Sequence, residues 1–315
     1  MTSNEVQCSG FSEPTELVRS QSIQDTMELC PRGCLDLPHA PEYIGSTKSV
    51  ITRIVNRTKA STNPDDTVYL KFTNVPPEIA TGTDIKATRN FYDFETRCMI
   101  ITITGGPHER AIGQWNSIMT ILAISSNLAI ISDGTARKTG NSSHKEPDSQ
   151  YMPEDQERAW PTVVLEVGYS ESQTKLKCDA AWWLANSNGA VNLVITIAIH
   201  RTQAQITIEC IVLDRTTPPA RHARPRYCPV TRQKLVIVRD QNGVITTTPA
   251  VPLRITVQEI MARPPLPGET DILVQVPQLQ HLAALVWRAQ GLTPQGNTPQ
   301  GNTRRRNTRR RNIRG

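Results

Sequence analysis

The 315-residue sequence contains no run of apolar residues long enough to cross a bilayer. Its longest candidate, residues 118–131, is interrupted by four polar side chains, Thr120, Ser125, Ser126 and Asn127. Residues 1–16 also lack the basic segment followed by an apolar one that marks a secretory signal. We therefore expect a protein with no membrane partner that works inside the cell, in the nucleus or the cytoplasm.

Several common catalytic motifs are missing as well. The sequence has no Gly-x-Ser-x-Gly elbow, no phosphate-binding P-loop, no His-Glu-x-x-His pair and no dinucleotide-type glycine pattern. These absences argue against a serine hydrolase, a nucleotide-driven enzyme, a zinc protease of that type and a nicotinamide enzyme. We expect no small-molecule cofactor.

Cysteine and aromatic residues are scarce. The seven cysteines are an odd number at irregular spacings, which is typical of reduced thiols and not of a disulfide framework. Aromatic residues make up 5% and hydrophobic residues 37% of the chain, which is lean but sufficient for a core.

The basic charge is concentrated at one end. Lys and Arg number 35 against 29 Asp and Glu, a formal net charge of +6. Residues 304–315 contain no acid and seven arginines, so the rest of the chain holds 28 basic and 29 acidic residues. The arginines that we predict to bind nucleic-acid phosphates are Arg304, Arg305, Arg306, Arg309, Arg310, Arg311 and Arg314. The same run also fits a nuclear localisation signal.

Composition divides the chain into three parts. Residues 1–45 are polar and punctuated by proline, and residues 291–315 repeat TPQGN and NTRRR, so we expect both segments to be disordered. Periodic apolar segments fill residues 46–290, which we predict to be one folded domain.

The periodic segments predict an α/β protein. Apolar residues at helical spacing indicate helices over about 107–125, 172–185 and 278–289. Runs of β-branched residues indicate strands at 49–55, 67–72, 97–104, 128–134, 162–168, 191–199, 205–213, 235–240, 245–257 and 271–276. Residues 135–147 and 215–234 are polar or proline-rich and are expected to be loops.

Two acidic residues in this pattern are candidates for a metal-binding site. Asp148 follows a proline, and Glu166 lies 18 residues later inside the apolar strand TVVLEVG. A carboxylate there is costly to bury unless it has a cation or a donor nearby. Two carboxylates brought together at a sheet end can bind Mg²⁺. Alternatively, the strand is at an edge and Glu166 meets water.

The stretch PDSQY…WPTVVLEVGYSES…LKCDAAWWL…GAVNLVITI resembles the PD-(D/E)XK nuclease-like superfamily. It most resembles the restriction-endonuclease-like branch that is common in fungi and bacteria. The similarity covers roughly 107–214 and continues more weakly to about 288. It implies a mixed β-sheet core flanked by helices, in αβββαβ order.

The resemblance also implies roles for individual residues. Asp148 and Glu166 would bind Mg²⁺ or Mn²⁺, with the Val167 carbonyl as a third ligand, and the metal would activate a water. Glu109 matches the position of an additional acidic residue in many such nucleases. Its alternative role is that of a solvated acid at a helix N-terminus.

One motif residue is missing. The superfamily has a lysine two residues after the glutamate, and here that position is Gly168. A lysine from the following helix is the expected replacement, with Lys177 as the first choice and Lys175 as the second. Either side chain can also be an ordinary solvated helix lysine.

Three hypotheses follow. The first is a metal-dependent endonuclease that hydrolyses DNA phosphodiesters, for which a homodimer is a further expectation. The second is a catalytically inactive nuclease fold that binds nucleic acid or protein, which the missing lysine favours. The third is a structural adaptor whose arginine tail serves only as a nuclear address.

Overall fold

The structure is a computed structural model, and it describes residues 34, 35, 37, 39–169, 173–214 and 229–292. The arginine tail and most of the predicted N-terminal segment lie outside these residues. So do most of the loop expected at 215–234 and residues 170–172, which follow the strand that carries Glu166. The division into three parts remains a prediction.

The described strands form three sheets. The largest has seven strands, in the spatial order β13 (Ile245–Thr248), β12 (Pro229–Arg239), β11 (Gln205–Leu213), β10 (Leu193–Ile199), β9 (Val163–Tyr169), β8 (Ser149–Pro153) and β5 (Ile130–Ser132). The second has six, in the order β1 (Glu42–Ile44), β2 (Val68–Thr73), β4 (Cys98–Ile103), β3 (Thr88–Asp93), β7 (Ser143–Lys145) and β6 (Lys138–Thr139). The third pairs β14 (Leu253–Ile255) with β15 (Ile272–Val274).

Six helices are described: α1 (Lys48–Ser61), α2 (Pro77–Gly82), α3 (Gly106–Ser125), α4 (Gln173–Asn186), α5 (Val257–Met261) and α6 (Val276–Ala289). None of them is both long enough and apolar enough to span a bilayer. The three helices expected from the periodicity of the sequence correspond to α3, α4 and α6.

The seven-stranded sheet is mixed. Strands β9 and β10 are parallel, because α4 crosses over between them, while β5–β8, β8–β9 and β10–β11 are antiparallel. The strands of this sheet and the helices beside it, α3, β5, β8, β9, α4 and β10, follow the predicted order αβββαβ, with β6 and β7 of the second sheet inserted between β5 and β8. The α/β fold class, with a mixed sheet flanked by helices, is therefore confirmed.

Successive side chains of a strand point to opposite faces of its sheet, and this divides the hydrophobic core into three clusters. One face of the seven-stranded sheet packs against α3 and α6, and this cluster includes Leu165, Ile195 and Trp287. The opposite face, with Val164, meets α4 and the inner face of the six-stranded sheet. The outer face of the six-stranded sheet packs against α1 through Ile51. The two sheets are thus layered, and β9 lies inside the molecule.

One predicted strand is wrong. Residues 49–55 belong to α1, which buries Ile51 and Val55, four residues apart. The side chain of Thr47 accepts a hydrogen bond from Val50 N and caps the helix. Helical spacing and this cap outweigh the β-branched composition that suggested a strand.

Two further segments differ from expectation. Residues 135–147, expected to be a loop, contain β6 and β7, which join the six-stranded sheet through pairing with β3. Before residue 46, the expected start of the folded domain, β1 already pairs with β2 and Cys34 is buried. These contacts were not predicted, because both segments are polar or rich in proline and their partners are distant in sequence.

Candidate functional site

A narrow cavity lies between the two sheets. It is lined by strand residues of the six-stranded sheet, by the start of β8 and the middle of β9, and by side chains from α3 and α4. Its charged lining residues are Arg89, His108, Lys145, Glu146, Asp148, Glu166, Lys175 and Asp179. Its volume is about 20 Å³, which is room for about one water molecule.

Asp148 is placed by the pairing of β8 with β9. It lies one residue before β8, where its backbone N–H donates to Leu165 O at 3.2 Å. Its Oδ2 accepts a 2.7 Å hydrogen bond from Val167 N, and its Oδ1 lies 3.3 Å from Arg89 Nε. The side chain is 5% exposed. The carboxylate is therefore buried with donors arranged around it.

These contacts keep Asp148 ionised. Burial by itself would raise its pKa, but His108, Arg89 and the Val167 N–H outweigh burial and lower the pKa below its usual range. The pKa of His108 shifts in the opposite direction. Burial by itself would lower it, but the neighbouring Asp148 outweighs burial and raises it. The histidine and the aspartate form a buried ion pair with Nε2 and Oδ2 3.3 Å apart.

Glu166 lies in the middle of β9, an internal strand between β8 and β10. The alternative that this strand is at an edge is therefore wrong, and the side chain is buried. Its Oε1 accepts a 2.5 Å hydrogen bond from Trp183 Nε1 and lies 3.3 Å from Lys145 Nζ. The cost of burying a carboxylate in this strand is offset by a donor and a cation from the protein itself.

The electrostatics of Glu166 differ from those of Asp148. Burial raises the pKa of Glu166 to about 7, and the negative charges of Asp179 and Asp148 add to this, although Lys145 opposes it. Burial therefore favours the neutral form of this carboxyl, while the cations around Asp148 favour its charged form. Two neighbouring carboxyls with different protonation behaviour are common at catalytic sites.

Lys145 comes from β7 and enters the cavity from the six-stranded sheet. Its Nζ lies 3.0 Å from Asp179 Oδ1 as well as 3.3 Å from Glu166 Oε1. Burial would lower the pKa of this ammonium, but Asp179 and Glu166 outweigh burial and raise it. Lys145 is therefore a fixed positive charge beside Glu166.

Helix α4 supplies a second lysine and the acid between the two. Asp179 Oδ2 lies 2.5 Å from Lys175 Nζ, one helical turn earlier. Lys175 Nζ also lies 5.5 Å from the centre of the Tyr69 ring. Lys175, Asp179 and Trp183 follow an i, i+4, i+8 stripe, which brings all three to the side of α4 that faces β9.

The start of α3 is held close to the residues that follow α1. Gly106 N donates to Pro64 O at 2.9 Å, and a Cβ on Gly105 would lie 2.6 Å from Asp65 O. Only glycine fits at that distance. This docking places His108 and Glu109 beside Arg89 at one end of the cavity.

The structure brings together some of the predicted site residues. Asp148, Glu166, Val167 and Lys175 line the cavity. Glu109 lies near it, 47% exposed, with Oε1 3.5 Å from Arg89 NH2. The Val167 carbonyl is 3.0 Å from His108 Nε2, so one of its lone pairs already has a partner. The catalytic and metal-binding roles of these residues remain predictions.

Lys177 is placed elsewhere. It is exposed and lines a separate small cavity with Leu176, Thr196 and Glu209. Lys177 was the first choice for the replacement lysine and Lys175 the second. The structure places Lys175, and not Lys177, on the side of α4 that meets Glu166, because that side carries residues 175, 179 and 183. The seven tail arginines lie outside the described residues.

Five charged residues of the cavity were not predicted from the sequence: Arg89, His108, Lys145, Glu146 and Asp179. Lys145 lies only three residues before Asp148, but it was in a segment expected to be a loop. The i, i+4 pair of Lys175 and Asp179 was available as a signal. Arg89 and His108 reach the site through sheet pairing and helix docking, for which the sequence carries no local signal.

Within the described residues, no three His, Cys, Asp or Glu side chains are arranged together as a metal-binding cluster. The two central carboxylates instead have protein cations beside them, Arg89 and His108 at Asp148 and Lys145 at Glu166. The arrangement is a nearly charge-balanced network in a low-dielectric environment.

No protein-family model and no curated protein matches the chain. Among solved structures, the chain is similar to one from Anabaena variabilis, described as a "putative nuclease belonging to DUF820". The similarity covers 65% of this chain and 97% of that chain, with a TM-score of 0.39 and 11% sequence identity. A likeness of this size carries no argument about activity, so the site has to be interpreted from its own geometry.

Proposed function

We propose that this protein hydrolyses phosphodiester bonds in nucleic acid, with DNA as the expected substrate. The observation that supports the proposal is the convergence of Asp148, Glu166 and Lys145, with Lys145 Nζ 3.3 Å from Glu166 Oε1. An aspartate, a glutamate and a lysine are the three residue types that the resemblance to nucleases calls for. The lysine comes from a different strand.

Lys145 would take the role of the missing motif lysine. Its raised pKa keeps it protonated, so it would act as a cation and not as a base. A fixed cation beside the attacked phosphorus stabilises the negative charge that develops in the transition state. Lys145 is already held in place, so little reorganisation is needed when that charge appears.

The donor set fits a divalent cation of the Mg²⁺ type. Mg²⁺ usually takes one or two carboxylates from a protein and completes its coordination with waters and substrate phosphates. Asp148 Oδ1 has Arg89 Nε at 3.3 Å, but that nitrogen makes no hydrogen bond of good geometry within the described structure. The contacts described for Glu166, from Trp183 and Lys145, both fall on Oε1. Asp148 Oδ1 and Glu166 Oε2 are therefore the oxygens that would bind the metal.

Asp148 and Glu166 would hold the metal, which when bound lowers the pKa of a coordinated water and polarises a phosphate oxygen. The Val167 N–H fixes the Asp148 carboxylate by holding Oδ2. Trp183 fixes Glu166 in the same way through Oε1. Arg89 and His108, which lie beside Asp148, would supply positive charge to an incoming phosphate.

The second candidate function is that of an inactive nuclease fold that binds nucleic acid or protein. The observation that favours it is burial, since Asp148 is 5% and Glu166 4% exposed in a cavity of about 20 Å³. A phosphodiester can reach these groups only if the two sheets separate locally. Protein cations beside both carboxylates would also stabilise a site that no longer binds metal.

Nicking of a supercoiled plasmid in Mg²⁺ or Mn²⁺ distinguishes the two functions. We expect the wild-type protein to nick and Asp148→Asn to be inactive, because the substitution removes a charge that the site requires. Asp133→Asn is the matched control. Asp133 is an acid 47% exposed, paired with Lys138 at 3.5 Å outside the cavity.

Equal nicking by the wild-type protein and Asp148→Asn would show that any cleavage comes from a contaminant. No nicking by the wild-type protein in either metal, with nucleic-acid binding retained, would favour the inactive module. Calorimetric titration of Mn²⁺ into the same proteins provides a second readout, in which Asp148→Asn should abolish binding and Asp133→Asn should not.

A further inference from the structure

We infer that Asp179 is a positioning residue, which acts by holding the Lys145 ammonium group between its own carboxylate and that of Glu166. This inference rests on the proposed function, because it concerns how the lysine of that site is placed. No motif predicts Asp179, which lies on α4, thirteen residues after Glu166. It would act through Lys145 and would not touch the substrate.

The geometry around Asp179 is that of a bridge. One carboxylate oxygen lies 3.0 Å from Lys145 Nζ and the other 2.5 Å from Lys175 Nζ. Asp179 is 2% exposed, so its interactions with both ammonium groups are little screened by water. The bridge connects β7 of one sheet with α4, which packs on the other.

Charge balance explains why the site needs this residue. Without Asp179, two buried ammonium groups would face Glu166 as their nearest carboxylate in the described network. Lys145 would then be drawn fully to Glu166, and the carboxylate would become less available to a metal. With Asp179 present, Lys145 is shared between two acids and remains between them.

A feature of Oδ1 supports a role beyond packing. Within the described residues, this oxygen is buried and makes no hydrogen bond of good geometry, although Lys145 Nζ is near. A purely structural ion pair would be expected to align its hydrogen bond. Lys145 therefore lies within ion-pair distance of both carboxylates without being tied to Asp179 by an aligned hydrogen bond.

The test compares Asp179→Asn, Asp179→Glu, Lys145→Gln and the double variant Lys145→Gln/Asp179→Asn in steady-state nicking kinetics. Asp93→Asn is the matched control. Asp93 is also buried, at 3% exposure, but its carboxylate accepts hydrogen bonds from Thr96 in a local turn.

We expect Asp179→Asn to lower kcat by roughly 100-fold, as for loss of one preorganised electrostatic contact, with KM nearly unchanged. Asp179→Glu, which restores the charge, should recover most of the loss. In the Lys145→Gln background, Asp179→Asn should change kcat by less than about threefold, because residues that act through one another are non-additive.

A readout that does not need cleavage is the nitrogen-15 signal of the Lys145 ammonium group, assigned by its loss in Lys145→Gln. Asp179→Asn should shift this signal, and Asp93→Asn should not. If the wild-type protein cleaves no nucleic acid but the signal shifts, the proposed function fails and the positioning of Lys145 by Asp179 is upheld.

The inference is overturned if Asp179→Asn leaves both kcat and the lysine signal unchanged. It is also overturned if Asp179→Asn lowers kcat equally with and without Lys145, which would mean that it acts by another route. Should Asp179→Asn fail to fold, the charge-balanced double variant Lys175→Gln/Asp179→Asn serves instead. It also removes the Asp179 carboxylate, so the Lys145 signal should shift, and an unshifted signal would reject the inference.

Discussion

His144 should make the protein less stable as the pH falls below 6.5. It lies on β7 beside Lys145, fully buried, with its ring 5.4 Å from that of Tyr92 and 5.7 Å from that of Phe94. Neither ring nitrogen has a hydrogen-bond partner among the described residues. Burial, aided by Arg137, lowers the pKa of His144 to about 4.

The magnitude follows from proton linkage. Below pH 6.5, the unfolded chain binds a proton at this histidine that the folded protein accepts only near pH 4. Lowering the pH therefore favours unfolding. With these two pKa values, the free energy of unfolding should fall by about 2 kcal/mol between pH 8 and pH 5 from His144 alone.

Urea unfolding at pH 8 and pH 5, followed by tryptophan fluorescence, tests this prediction for the wild-type protein and His144→Phe. Phenylalanine suits the aromatic surroundings and cannot be protonated. Contributions of other titrating groups, including Glu166 and His108, cancel when the two proteins are compared. His281→Ala, at an exposed site on α6, is the control and should change stability by less than about 0.5 kcal/mol.

The expected result is that His144→Phe loses about 2 kcal/mol less than the wild-type protein on going from pH 8 to pH 5. If the two proteins lose the same free energy over that range, His144 is not held neutral by the fold. The electrostatic account of β7 would then be wrong.

Three further predictions concern the core, the lysines and the tail. Trp287→Ala should destabilise the protein by about 3–5 kcal/mol in urea unfolding, because this ring is fully buried against α3 and the large sheet; a loss below about 1 kcal/mol would contradict that packing. Lys177→Ala should keep any nicking rate within about twofold, since Lys177 lies outside the cavity and outside the electrostatic site; a large loss would restore it as the replacement lysine. Deleting residues 303–315 should weaken DNA binding at low salt and reduce the slope of log affinity against log salt by up to about 6, from seven arginines; an unchanged slope would leave localisation as the role of the tail.

The part of the site that the sequence predicts is the part formed by neighbouring strands. Asp148 and Glu166 lie on strands that pair directly, so an ordered succession of strand signals was sufficient to bring them together. The helices α3, α4 and α6 were also predicted, because the buried contacts of a helix repeat every three or four residues and leave a local apolar pattern in the sequence.

The part that it does not predict depends on the second sheet. Lys145 reaches Glu166 because β7 pairs with β3, fifty residues earlier, and that pairing has no local signature. A two-sheet arrangement also explains why Glu166 is buried when an exposed edge was an open alternative. The helix α1 was missed because β-branched residues at positions 50, 51, 54 and 55 outweighed their helical spacing.

The most direct test of the central claim is the ratio of single-turnover nicking rates for the wild-type protein and Lys145→Gln in saturating Mg²⁺. We expect the wild-type protein to nick plasmid DNA and Lys145→Gln to be slower by roughly 100-fold or more, because the variant lacks the cation that stabilises transition-state charge. Equal rates, with both proteins folded, would contradict the assignment of Lys145 as the lysine of the catalytic site.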